Sequence, residues 1–121
     1  MNKITEFLKQ AQTFYLATTD GNKPKLRPFG AVSEFEGKTY IVTSNTKNVY
    51  KQMLKNPNIS ICACMGRKWV RVEGQAKRDP RAEAKQQMLK DNPMLSKHYA
   101  SVGDTSMEVF YIDNMKAEFN E

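Results

Sequence analysis

Ile4, Phe7, Leu8 and Ala11 recur at i, i+3, i+4 and i+7, which places them on one stripe of a short N-terminal helix. The period then drops to two. Phe14 to Thr18 reads as a strand, stopped by the turn signal Asp20-Gly21-Asn22. Leu26 to Phe35 reads as a second strand, interrupted by Pro28 and Gly30, and Glu36-Gly37 turns it into a third, Thr39 to Thr43. These two have the form of a β-hairpin. Ser44-Asn45-Thr46 supplies small polar residues suited to cap a helix, whose apolar side is Val49, Tyr50, Met53 and Leu54 and whose end is Asn56-Pro57. In a fourth strand Ile59, Ile61, Ala63 and Met65 point one way and Ser60, Cys62 and Cys64 the other. After Gly66, a fifth strand alternates Val70, Val72 and Ala76 with Trp69, Arg71, Glu73, Gln75 and Lys77.

Asp79-Pro80 predicts a helix start, with Asp as N-cap and Pro at the first helical position. This helix runs to about Asp91, with Ala84 and Met88 spaced for packing. Asn92-Pro93 breaks it, and a second short helix is expected over Met94 to Tyr99. Gly103-Asp104-Thr105 leads to a strand near Met107 to Ile112. Asp113-Asn114 then reads as a turn into a terminal strand around Lys116 to Phe119. Six or so short strands joined by tight turns, with few helices, predict a mainly β fold with flanking helices. The arrangement is a small antiparallel barrel rather than a doubly wound sheet, because most strand pairs lack a crossover.

Composition narrows the picture. The 121 residues, 40% apolar, suit one globular domain spanning 1–121. No apolar run approaches the ~18 residues of a membrane span, and Met1 leads into a mixed amphipathic segment rather than a secretory signal. Two cysteines do not make a disulfide framework, so a reducing, cytoplasmic setting is expected, with no membrane partner. The net charge of +6 attracts anionic partners. The basic residues are dispersed, densest over Arg67-Lys68-Trp69-Val70-Arg71 and then Lys77-Arg78 and Arg81. A solvated basic surface accounts for them as readily as a ligand does.

Two neighbouring segments carry candidate chemistry. In Arg27-Pro28-Phe29-Gly30 the proline removes a ladder donor, and the glycine lets another group approach the backbone. This is either a bulged edge strand or a strand that contacts a flat ligand. In Val42-Thr43-Ser44-Asn45-Thr46-Lys47-Asn48 a strand ends, hydroxyls gather and a helix begins beside a lysine. A helix N-terminus offers unpaired N–H groups and about half a positive charge. The segment is therefore either ordinary capping or a phosphate site built without a glycine-rich loop. Trp69 and Arg71 share a strand face, where an indole could cover a ring and a guanidinium could meet an anion. His98, the only histidine, reads as a surface residue, and no metal site is expected. Cys62 and Cys64 are better read as packing than as a redox pair, because C-x-C is not C-x-x-C.

These residues carry a resemblance. Leu26-Arg27-Pro28-Phe29-Gly30, Thr39-Tyr40-Ile41-Val42-Thr43-Ser44, Lys47-Asn48, Asn56-Pro57 before a strand, and Trp69-Val70-Arg71-Val72-Glu73-Gly74-Gln75-Ala76 together resemble the pyridoxamine 5′-phosphate oxidase-like FMN-binding split barrels. The likeness covers roughly Phe14 to Arg78. It implies an antiparallel split β-barrel and a homodimer with FMN at its interface. In such proteins Arg27, Pro28, Phe29, Gly30 and on to Val32 would line the isoalloxazine, largely through backbone groups. Thr43 and Ser44 would sit beside the phosphate or ribityl chain, Lys47 and Asn48 would occupy the place of the basic phosphate ligands, and Trp69 would fall near a flavin contact. After Asp104 the chain has neither Arg nor Trp, whereas vitamin B6 oxidases complete their sites with such residues in a longer tail. The resemblance is thus to the short nitroimidazole-resistance-like and general-stress-like members.

The function implied by the resemblance is that of a flavoprotein oxidoreductase, passing electrons from a reduced nicotinamide or other small donor to a small acceptor. No catalytic acid or base is named by the sequence, which is compatible with flavin chemistry because the cofactor carries the reaction. Two alternatives stand beside it. One is a nucleic-acid-binding barrel, using basic residues interleaved with Trp69; Glu73 interrupts that strand and the aromatics do not cluster, which speaks against it. The other is a module that holds flavin, deazaflavin or heme without turnover.

Overall fold

The computed structural model describes residues 1–99 and 104–121. Helix α1 spans Lys3–Ala11, capped by the Asn2 side chain, which accepts from the Thr5 N–H. Strands β1 (Phe14–Asp20), β2 (Lys23–Phe29), β3 (Val32–Phe35) and β4 (Lys38–Ser44) come next along the chain. After them lie α2 (Asn48–Lys55), β5 (Asn58–Met65), β6 (Lys68–Asp79), α3 (Ala82–Asp91), a 3-10 turn (Pro93–Lys97) and β7 (Met107–Asn120). The seven strands form one sheet in the order β2-β1-β5-β6-β7-β4-β3, and every neighbouring pair is antiparallel.

The sequence positions of the two edges explain the curvature. β2 and β3 lie at opposite ends of the sheet order, yet only Gly30 and Ala31 separate them in the chain. Phe29 and Val32 are three residue steps apart, at most about 11 Å, so the sheet must curl until its edges come close. The result is a split β-barrel with flanking helices, as expected. The pattern from Leu26 to Phe35 predicts one interrupted strand; the interruption is the point at which the chain leaves one sheet edge and joins the other.

Two apolar clusters fill the molecule. The larger, inside the curl, gathers Leu8 from α1, Phe14 and Leu16 from β1, Met53 from α2, Ile61 from β5, Val70 and Val72 from β6 and Phe110 from β7. The second lies under α3 and holds Tyr40, Val42, Ala84, Met88, Met107 and Val109. β4 and the first half of β7 are buried on both faces, because successive side chains enter different clusters.

Several sequence-based boundaries shift. α2 starts at Asn48 with Lys47 as its N-cap and no side-chain cap bond, not within Ser44-Asn45-Thr46. Asp79 ends β6, and α3 begins only at Ala82. The Asp79 carboxylate still accepts the Arg81 N–H at 3.0 Å, so the residue turns the chain without being the N-cap. In place of the helix expected over Met94 to Tyr99 stands the 3-10 turn. Asp113-Asn114 is no strand break. β7 runs through it, with Asn114 at φ 53°, opposite a register shift between Glu73 and Gln75 of β6. This is a bulge rather than a turn. Gly103, expected to lead into this strand, lies outside the described residues.

Candidate functional site

Where the two sheet edges meet, a cavity of about 510 Å³ opens, within the range of sites for mid-sized organic ligands. One wall is Arg27, Pro28, Phe29, Gly30 and Ala31, the crossing between the edges. A second is the end of β4 and the start of α2, with Val42, Thr43, Ser44, Thr46, Lys47 and Val49. The third is the 3-10 turn and the chain beyond it, with Met94, Leu95, His98 and Tyr99, joined by Ser106. The two segments singled out in the sequence therefore share one cavity. Of the candidate residues, Arg27, Pro28, Phe29, Gly30, Thr43, Ser44 and Lys47 line it.

Asn48, Trp69 and Arg71 are not in its wall. Asn48 is the first residue of α2 and exposed. Trp69 and Arg71 lie on β6, where the Arg71 guanidinium stacks 4.9 Å from the Trp69 ring and pairs with Glu118. Arg71 borders a separate hollow of about 460 Å³ on the outer sheet face, together with Tyr15, Leu26, Cys62 and Glu73.

The donor set at the cavity is cationic. At the β4–α2 junction the Ser44 and Thr46 hydroxyls are 2.9 Å apart, and the Thr46 N–H donates to Ser44 Oγ at 3.3 Å. Asn45 ties the loop down through its N–H to Ser106 O at 2.9 Å and its Nδ2 to Thr105 O at 2.7 Å. The first turn of α2 carries no acidic residue and no side-chain cap, so no side chain takes up its leading N–H groups or offsets the positive end of its dipole. Lys47 has no ion pair among the described residues.

Arg27 is held without a carboxylate. Its Nη1 donates to Thr18 Oγ1 at 2.9 Å and to Leu16 O at 3.1 Å, and its Nη2 to Gln52 Oε1 at 2.9 Å. The Thr18 hydroxyl donates to the same Gln52 oxygen at 2.5 Å. Burial lowers the Arg27 pKa from its ordinary value, as expected of a cation partly removed from water among neutral acceptors. Two cations, an uncapped helix start and two hydroxyls with no anion among them fit a phosphoryl group. The glycine supplies flat access, since a Cβ built on Gly30 would meet only Gln12 O, at 3.8 Å.

Sequence reasoning missed the third wall. Met94 is exposed, Leu95 and Tyr99 are buried, and His98 packs its ring 6.5 Å from that of Tyr99. Burial raises the Tyr99 pKa. The basic stretch beyond Trp69 is largely engaged: Arg78 binds the buried Glu108 at 3.1 Å and Arg81 bridges Asp79 at 2.9 Å and Glu36 at 2.7 Å.

Residues 1–120 match the family model described as pyridoxamine 5′-phosphate oxidase. Among solved structures, the chain is similar to a NimC/NimA family protein from Clostridium acetobutylicum, with 41% identity and a TM-score of 0.94 over 98% of this chain and 86% of that one. It shares its fold with general stress protein 26 from Bacillus anthracis, at 19% identity and TM-score 0.79 over 98% of this chain and 95% of that one. The same holds for a FAD-binding protein from Mesorhizobium loti, at 18% identity and TM-score 0.65 over 100% and 96%. No curated protein matches the chain. With nearly its whole length matched, the chain belongs to the pyridoxamine 5′-phosphate oxidase family.

Proposed function

We propose that the protein binds FMN in the cavity at the sheet edges and acts as an oxidoreductase between a small electron donor, such as a reduced nicotinamide, and a small acceptor. The observation that carries this reading is that Lys47, the Ser44 and Thr46 hydroxyls and the uncapped start of α2 share one hollow with Arg27 and the Gly30 crossing. Phosphate suits the first group of features, and a flat ring suits the second. Family membership and the likeness to a FAD-binding protein support a flavin.

In this assignment Lys47 and the α2 N–H groups hold the phosphate, and Thr43, Ser44 and Thr46 bond its oxygens or the ribityl chain. Backbone groups from Arg27 to Ala31 would contact the ring, and the apolar side chains of Phe29 and Val42, which line the same cavity, would help exclude water. When bound, FMN supplies two-electron redox chemistry, and the protein supplies position and field. The positive charge of Arg27, which lines the cavity, would favour negative charge on a group held there. Trp69 and Arg71 lie outside the cavity of their own chain, which accords with a homodimer in which each copy completes the other's site. The nucleic-acid alternative is weakened because Arg71, Arg78 and Arg81 already face carboxylates.

The experiment is an absorption spectrum of the purified protein, mass analysis of any released ligand, and anaerobic mixing of the FMN-loaded protein with reduced nicotinamide. Bleaching of the flavin band followed by reoxidation on adding a quinone or nitroaromatic supports an oxidoreductase. A flavin band that stays unbleached by every donor supports a module without turnover.

A further inference from the structure

We propose that the electron donor is a nicotinamide dinucleotide bearing a 2′-phosphate on its adenosine ribose, selected by two rows of cations that lead out of the cavity: Lys23, Lys25 and Arg27 on β2, and Lys47, Lys51 and Lys55 along α2. The role of this ligand as donor rests on the oxidoreductase reading above. β2 and α2, with the N-cap of α2, hold six of the chain's nineteen Lys and Arg residues and none of its thirteen Asp and Glu. The inner end of each row, Arg27 and Lys47, lines the cavity. The four outer lysines lie beyond its wall, and none of them forms an ion pair among the described residues.

The fold sets the rows beside each other. Lys23, Lys25 and Arg27 take alternate positions of β2 and so share one face, while Leu26 between them turns the other way, to the outer hollow. Arg27 donates to Gln52 of α2, and Thr18, paired in register with Lys25, donates to the same amide oxygen. The lysine face of β2 is therefore the one beside α2, not the outer sheet face that holds Trp69 and Arg71. On α2, Lys51 and Lys55 follow Lys47 at i+4 and i+8 and are exposed, whereas Val49 and Met53 are buried. The first row extends about 13 Å and the second about 12 Å. Asp20 is the carboxylate nearest in register, opposite Lys23 at the outer end of its row.

Folding alone does not account for this arrangement. Like charges at i, i+4 on a helix repel, and cations near its start oppose its dipole, so lysines spaced this way cost stability. A single flavin phosphate uses Lys47 and the α2 N–H groups and leaves Lys23, Lys25, Lys51 and Lys55 without a partner in the flavin. A nicotinamide dinucleotide carries a pyrophosphate at mid-length and, in its phosphorylated form, a further phosphate at the adenosine end. Anions at two stations match cation rows that start at the cavity and run outward, and charge-assisted bonds to phosphate are the strong ones. The unphosphorylated dinucleotide offers the outer lysines no anion.

The test is calorimetric titration of the full-length protein with adenosine 2′,5′-bisphosphate and with adenosine 5′-monophosphate, without and with excess FMN. The bisphosphate is expected to bind about tenfold more tightly, to keep that advantage when FMN is present, and to lose most of it at high salt. Lys23→Gln with Lys25→Gln, and Lys51→Gln with Lys55→Gln, should each cut the advantage about threefold or more, while FMN affinity, read by fluorescence quenching, changes less than about twofold. Equal affinity for the two nucleotides, displacement of the bisphosphate by FMN, or an unchanged advantage in either double variant would overturn the proposal. Tighter binding of a short DNA single strand than of the bisphosphate would overturn it as well. If FMN fails to bind while the bisphosphate keeps its advantage, the flavin reading and the donor role fall, and the selectivity of the two cation rows stands.

Discussion

The Arg27 guanidinium meets Gln52 Oε1 at 2.9 Å, so a cation on the edge strand β2 is anchored to the helix whose N-terminus opens on the cavity. The partner is an amide, and the charge is left unneutralised. Gln52→Glu would place a carboxylate at the same position and cancel that field. About a tenfold loss of FMN affinity is expected, close to 1.4 kcal/mol, with a smaller loss for riboflavin, which lacks the phosphate. Calorimetric titration of both ligands against both proteins checks this; equal losses would show that Gln52 acts only on packing.

Gly30 has room for a side chain in the folded protein, its nearest non-neighbouring atom lying 3.8 Å from a built Cβ. Gly30→Ala should therefore leave the melting temperature of the ligand-free protein within about 2 °C, since surface changes without strain usually cost under 0.5 kcal/mol. The same substitution should weaken FMN binding severalfold if the ring lies against that backbone. Paired thermal-shift curves, with and without FMN, separate the two effects.

Gly74 is the opposite case. A Cβ there would lie 2.7 Å from Asp113 O and from Ile112 Cγ2, at the bulge where β6 and β7 shift register. Neither a backbone carbonyl nor a core isoleucine yields cheaply. Gly74→Ala is expected to cost about 2–3 kcal/mol, in the upper range for overpacking, and urea unfolding measures it.

These glycines mark where the sequence was legible. Alternation along Ile59–Met65 and Val70–Ala76 predicted strands correctly because one face of each is buried, and burial enforces a period of two. Asp113-Asn114 misled because a local turn signal competes with ten paired positions along β6 and β7; pairing won, and the chain absorbed the signal as a left-handed bulge residue. Lys47 displaced Ser44 and Thr46 as N-cap because Asn45 is pulled toward Ser106 and Thr105, contacts some sixty residues away in sequence. The Met94–Tyr99 wall could not be placed from local pattern, since only the tertiary fold brings it to the cavity that Gly30 also lines. Arg27, Ser44 and Lys47, by contrast, are close enough in sequence for their motif to be visible.

Asp79 gives the clearest pH dependence. It is 4% exposed, and the Arg81 guanidinium, with help from the Tyr40 hydroxyl at 2.7 Å, holds its carboxyl down at about 2 from an ordinary 3.8. A folded-state pKa below the unfolded one contributes stability above pH 4, and that contribution is lost as pH falls toward 2. Asp79→Asn should cost about 2 kcal/mol at pH 7. The difference between the two proteins should close between pH 4 and pH 2, which chemical denaturation at stepped pH would follow. A constant gap would show that the charge is not the cause.

The most direct measurement is titration of the ligand-free protein with FMN and with riboflavin, monitored by flavin fluorescence and thermal stability, for the native chain and for Lys47→Ala. The account predicts saturable quenching at one FMN per chain, riboflavin bound at least tenfold more weakly, and about a tenfold loss of FMN affinity in the variant. No quenching and no thermal shift with excess FMN, or equal affinity for the two ligands in both proteins, would contradict it.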